Sequence, residues 1–240
     1  AMVAEVTHAM GGFSSDAEVL AVIVHGDGRA FSAGFDLKEE PPSTIEATRA
    51  LLERDLAFIL QFWDCPKPVI AAVHGYCLAS AFELALACDM TIAAEGTRFG
   101  EPEVRFGSGI VALLLPFMTT PKIAKELLLT GNDKMDARRA LEIGIVNAVV
   151  PEGKHLDAAM TAARAIVAAS PTAVQLTKRA INRAYETTGL RQALLAALDI
   201  DVLIESSDGA EKAEFNRLRK DKGLQAALEW RNARFHDTHR

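Results

Sequence analysis

Short apolar runs of strand length, separated by stretches of helical periodicity, limit this chain to an α/β architecture. Val19 to Val24 (VLAVIV) is rich in β-formers and stops at His25-Gly26-Asp27-Gly28, which reads as a strand entering a turn. Val69 to Val73 (VIAAV), Met90 to Ala94 (MTIAA) and Val146 to Val150 read as further strands. Pro41-Pro42 mark a loop, and Ser43 with Glu46 forms a Ser-x-x-Glu capping box. A helix then runs to about Trp63, with Leu52, Leu56, Ile59, Leu60 and Trp63 on one stripe, and Pro66 and Pro68 end it. Residues 79–87 predict a short helix, and 109–118, 121–129 and 136–142 predict three more. Strands that alternate with helices favour a parallel sheet joined by crossover helices. Beyond Pro151 the chain turns to Ala, Leu, Lys, Arg and Glu, punctuated at Ser170-Pro171, Gly189 and Asp208-Gly209. This is a helical tail, which must pack on the core or on another subunit.

Composition excludes several classes. Half of the 240 residues are hydrophobic, enough for one large core. A net charge of -6 lacks the basic footprint of a nucleic-acid binder. The densest basic helix face, Lys178, Arg179 and Arg183, reads as a solvated surface. No apolar run reaches the ~18 residues of a membrane span. Ala1-Met2-Val3-Ala4-Glu5 lacks the basic-then-apolar layout of a signal peptide. Cys65, Cys77 and Cys88 cannot pair completely and match no zinc spacing. They read as reduced, mostly buried thiols, and the expected location is cytoplasmic. No two of the six histidines stand four apart, so no metal site is expected.

Common cofactor and nucleophile signatures fail as well. Gly26-x-Gly28 has no third glycine at the dinucleotide spacing, no glycine loop ends in Lys-Ser or Lys-Thr, and there is no Gly-x-Ser-x-Gly. Two small-residue segments remain, Phe31-Ser32-Ala33-Gly34-Phe35-Asp36-Leu37 and Gly75 to Glu83 (GYCLASAFE). Small residues let a ligand oxygen approach bare N–H groups, and a helix N-terminus adds free donors. Two such loops meeting at one point would form an oxyanion hole, each donor of which is worth about 3 kcal/mol in the transition state. Taken singly, each residue also has a plainer reading. Ser80 and Glu83 form a capping box, Glu103 is a loop carboxylate and Asp36 is a turn residue.

Together these segments resemble the crotonase family of enoyl-CoA hydratases and isomerases, from about residue 17 to about residue 235. AFSAGFDLKE (30–39) looks like the first oxyanion loop, and PVIAAVHGYCLASAFELALACDMTIAAE (68–95) like the central strand, the second oxyanion loop and the helix and strand after it. FGEPEVRFG (99–107) looks like the second catalytic loop, and ELLLTG (126–131) with ARRALEIGIVNAVVP (137–151) like the end of the core. The resemblance implies an α/β crotonase-like fold, a spiral of repeated ββα units with a C-terminal α-helical region. It implies a core over 1–185, with the family's N-terminal strand pair missing, and a helical trimerisation or lid region over 186–240.

The same resemblance carries over a glutamate pair, Glu83 and Glu103, and oxyanion amides at Phe35 and Ser80. It places Ala33, Gly34, Asp36, Leu37, Lys38, Tyr76, Leu78 and Ala79 around the acyl-CoA. Arg29 and Lys38 flank the first oxyanion loop, where each reads as a plain surface charge or as a contact to the coenzyme A phosphates. The implied reaction is hydration of a trans-2-enoyl-CoA, or its reverse, with no cofactor beyond the coenzyme A of the substrate. A homotrimer or dimer of trimers is implied as well. An enoyl-CoA isomerase, a carnitinyl-CoA-type dehydratase and a non-catalytic acyl-CoA-binding homologue are the alternatives. The chain departs from the family at Ala79-Ser80-Ala81, where three glycines are usual, and at Gly109 to Leu114, where bulk replaces a glycine-rich loop. If Ser80 took a positive φ it would be strained by about 1–3 kcal/mol.

Overall fold

The computed structural model describes residues 1–235. The end of the expected C-terminal region, including His236 and His239, lies outside the described residues.

Helix α1 (Met2–Ser15) leads into strand β1 (Val22–His25). Helix α2 (Ile45–Asp64), strands β2 (Val69–Val73) and β3 (Tyr76–Leu78), and helix α3 (Ser80–Ala87) follow. Strands β4 (Met90–Ala94) and β5 (Arg98–Gly100) then lead into a 3₁₀ turn over Glu103–Phe106. Helices α4 (Leu115–Met118) and α5 (Pro121–Thr130), strand β6 (Met135–Asp136), helix α6 (Ala137–Glu142) and strand β7 (Ala148–Val150) complete the α/β part. The tail comprises α7 (His155–Val167), α8 (Pro171–Thr187), α9 (Leu190–Glu205), α10 (Ala210–Lys222) and α11 (Leu224–Ala233).

The larger sheet is parallel, in the order β1-β2-β4-β7. A smaller sheet, β3-β5-β6, is parallel between β3 and β5 and antiparallel between β5 and β6. Ser32 extends it by a bridge to Cys77. Each of the first three strands of the large sheet therefore steps across to the small one before a helix or turn begins: β1, Ser32, α2; β2, β3, α3; β4, β5, 3₁₀ turn. This is the repeated ββα spiral. Strand β2 is buried along its whole length, as expected of a central parallel strand covered on both faces. Val69, Ala71 and Val73 face the main core, with α2 and α3. Ile70 and Ala72 face Ala159 and Ala163 of α7.

The tail does not behave as one unit. The division expected after residue 185 falls in the last turn of α8. Beyond it, α9 buries Leu190, Leu194, Leu198 and Val202 in the same core as Leu52, Leu56 and Ile59 of α2. Helices α10 and α11 have their own cluster, in which Phe215, Leu218 and Ala227 pack on Phe106 of the 3₁₀ turn.

Several local expectations shift. Thr44, not Ser43, caps α2, accepting from the Ala47 amide at 3.2 Å. Within 109–118 only Leu115–Met118 is helical. The amides of Gly109 and Ala112 donate to the carboxylates of Glu205 and Glu83, so they do not close helical hydrogen bonds. Lys178 is not a solvated cation. It is buried and donates to Asp89 at 2.6 Å and to the Lys67 carbonyl at 3.0 Å.

Candidate active site

The two small-residue segments meet. Ser32 fixes the first loop on β3: its amide donates to the Tyr76 carbonyl, and its own carbonyl accepts from the Leu78 amide. Its hydroxyl also accepts from the Gly34 amide at 3.2 Å. Gly34 has φ +98°, and a Cβ there would lie 2.7 Å from the Ala79 Cβ and 3.3 Å from the Ser80 Oγ. Only glycine permits this contact, which sets Phe35 beside the start of α3. Ser80 is the first residue of α3, so its amide has no acceptor within the helix.

Ala79, not Ser80, carries the unusual backbone (φ 58°, ψ −139°) and stands at the helix N-cap without a side-chain cap. Ser80 therefore forms no capping box with Glu83. Instead Glu83 Oε1 accepts from the Ala112 amide at 3.1 Å. The segment that departs from the glycine-rich pattern supplies this bond through its backbone, which any residue but proline can provide.

Glu103 lies across the site, in the first turn of the 3₁₀ segment, and a buried network behind it holds that segment in place. Arg105 donates to the Thr130 carbonyl and pairs with Asp133 at 3.2 Å. Asp133 also pairs with Arg231 of α11 at 3.3 Å. From above, Phe215 of α10 stacks on Phe106 at 5.0 Å. Arg219 of α10 donates to the carbonyls of Leu37 and Glu39, so the same helix also ties down the first loop.

Glu83 and Glu103 are both buried, and each has an Oε2 without a partner. Burial, with the nearby charges of Asp201 and Asp55 adding to it, raises Glu83 to about 8, against the pull of the Ala112 and Val111 amides. Burial and the Glu83 charge hold Glu103 well above the usual carboxylate range. Glu101, two residues before Glu103, is a third member: it is 2% exposed, has an unpartnered Oε2, and is pushed up by burial and by both glutamates. No two of these carboxyls ionise together easily, so the site holds protons at neutral pH. Sequence reading missed Glu101, although FGEPEVRFG displays it, and missed Asp201 and Asp55, which reach the cluster only through packing.

The remaining expected binding residues are less gathered. The partly buried ring of Phe35 tilts against Phe58 at 6.1 Å, and Leu37 packs under the α10–α11 cluster. Leu78 and Ala79 are half-buried, and Ala33 is exposed. Asp36 does form a turn, accepting from the Lys38 amide at 3.0 Å. Lys38, Arg29 and Tyr76 are exposed. Cys65, Cys77 and Cys88 are buried free thiols, and burial raises Cys77 and Cys88 far from nucleophilic thiolate behaviour. Among the described residues no helix is long and apolar enough to cross a membrane.

Residues 1–238 match the family model described as enoyl-CoA hydratase/isomerase. A short-chain-enoyl-CoA hydratase of Clostridium acetobutylicum is 38% identical over 190 residues, covering 76% of this chain and 71% of that protein. A carnitinyl-CoA dehydratase of Citrobacter koseri is 40% identical over 172 residues, covering 69% of this chain and 64% of that protein. The crystal structure of an enoyl-CoA hydratase/isomerase from Xanthobacter autotrophicus superposes with a TM-score of 0.95 at 52% identity, covering 98% of this chain and 88% of the other.

Proposed function

Because the chain belongs to the enoyl-CoA hydratase/isomerase family, we propose that it hydrates trans-2-enoyl-CoA thioesters to 3-hydroxyacyl-CoA, or runs the reverse dehydration. The observation that carries this reading is the pair of buried carboxyls, Glu83 and Glu103, beside the contact between Gly34 and Ala79-Ser80. The thioester oxygen lies between the amides of Phe35 and Ser80, where enolate charge is stabilised more than the ground-state carbonyl. Glu83 is the group that ionises, because the Ala112 amide favours its charged form. It takes a proton from water as the water oxygen bonds to C3. Glu103 keeps its proton and delivers it to C2 as the enolate collapses. The pair ends with the proton moved from one carboxyl to the other, and exchange with solvent resets it.

Coenzyme A enters only as part of the substrate, and no further cofactor takes part. The buried free thiols fit the reducing cytoplasm. Exposed Leu176 and Ile181 on α8, with Leu195, Ile200 and Leu203 on α9, support burial between subunits of a homotrimer or dimer of trimers. A monomer in light scattering would refute that assembly.

Loss of the conjugated-thioester absorbance of crotonyl-CoA tests the reaction. Turnover is expected, and Glu103→Gln should reduce it by at least ~10²-fold. Turnover by Glu103→Gln within a few-fold of the parent would remove Glu103 from the chemistry.

A further inference from the structure

Asp201 is a buried carboxylate both of whose oxygens are buried and lack a hydrogen-bond partner. It sits on the inward face of α9, one turn beyond Leu198, and is 2% exposed. Its carboxyl presses on the backbone of the 107–112 loop, where a Cβ at Gly109 would come within 1.7 Å of Oδ1. Donors of that loop bond elsewhere, the Ala112 amide to Glu83 among them. Ser108 and the Gly109 amide bond Glu205, the latter at 3.1 Å, and Lys212 reaches Glu205 at 2.5 Å. Glu205 and Lys212 are the charged groups that flank Asp201 on the α9–α10 side. On the other side Asp201 acts electrostatically on both Glu83 and Glu103.

The placement has a consequence for the substrate. With the thioester at Phe35 and Ser80 and the second and third carbons at the glutamates, the rest of the acyl chain runs toward the loop and α9. A plain alkyl chain there would leave both Asp201 oxygens without hydrogen bonds. We propose that Asp201 is a specificity-determining residue that accepts a hydrogen bond from a donor on the acyl group, a hydroxyl or an amine, beyond its third carbon. The assignment rests on the acyl-CoA reading above. Burial and Glu205 hold Asp201 up to about 7, so it is partly ionised near neutral pH and accepts strongly. A site built around such an acceptor rejects the analogue that lacks the donor.

The test is calorimetric binding of saturated acyl-CoAs to the full chain, with crotonyl-CoA hydration measured alongside. The probes are a short series of ω-hydroxyacyl-CoAs and ω-aminoacyl-CoAs, each matched in heavy atoms by an n-alkyl acyl-CoA. The parent protein should favour a donor-bearing member by at least about 10-fold. Asp201→Leu should reverse that preference. Asp201→Asn, which keeps an acceptor oxygen and nearly the same shape, should retain the hydroxyl preference and lose the amine preference. Crotonyl-CoA turnover with alkyl chains preferred by the parent would overturn the Asp201 assignment alone. So would preferences unchanged in both variants. If Asp201→Leu fails to fold, the Asp201→Asn comparison decides. Failure to bind any acyl-CoA would overturn the underlying functional reading as well.

Discussion

Glu83→Gln should gain stability relative to the parent as pH rises, while removing activity. The folded protein raises Glu83 from 4.5 to about 8. Above about pH 4.5 the unfolded chain releases this proton and the folded one keeps it, so the unfolded state binds fewer protons. Stability contributed by the neutral carboxyl is therefore complete at low pH and is lost as pH climbs toward about 8, at about 1.4 kcal/mol per unit for one proton. Between about pH 5 and about pH 7.5 the accumulated loss is about 3 kcal/mol. That is a large share of the ~5–15 kcal/mol of a typical domain. The amide cannot ionise, so the stability difference between Glu83→Gln and parent should move in favour of the variant by about 3 kcal/mol across that interval. Any cost of the substitution that does not depend on pH cancels in this double difference. Urea unfolding of both proteins at the two pH values measures it. A difference that stays flat, or falls with pH, would mean that Glu83 is ionised in the folded protein and would refute the argument from burial.

Other consequences are also open to measurement. With Glu83 as base, kcat/KM for crotonyl-CoA should rise with pH to about 8; Asp201→Asn removes a carboxylate whose charge raises Glu83 and should move that limb to lower pH, whereas an unmoved limb would separate Asp201 from the cluster. Ala79→Gly should stabilise the chain by about 1 kcal/mol in urea unfolding by relieving the positive φ at 58°, and a loss of stability would show that the Ala79 methyl matters more than the strain. Asp133→Ala leaves the Arg105 and Arg231 guanidinium groups buried without their shared partner; it should cost about 3–5 kcal/mol and lower activity by loosening the Glu103 turn, and a near-neutral melting shift would refute that role.

Much of this protein is decided within short stretches of chain. The periods of Leu52 to Trp63 and of Val69 to Val73 are set by what one helix stripe or one buried strand must hide, so α2 and β2 are legible residue by residue. The family likeness, Glu83 and Glu103 follow from ordered motifs along the chain, for the same reason. Local rules fail where backbone donors are claimed from far away. The Ser80 capping box gives way because Ala112, 29 residues on, donates to Glu83, and the helix expected from 109 yields because its amides serve distant carboxylates. Lys178 reads as a surface charge until the fold brings Asp89 to it across 89 residues. Glu101 sits in the motif that carries Glu103, but its burial does not show there; Asp201 stands far from Glu83 in sequence, and nothing along the chain says that the two share a site. A carboxyl's proton affinity depends on water removed and charges brought near in space, and only the tertiary structure decides either.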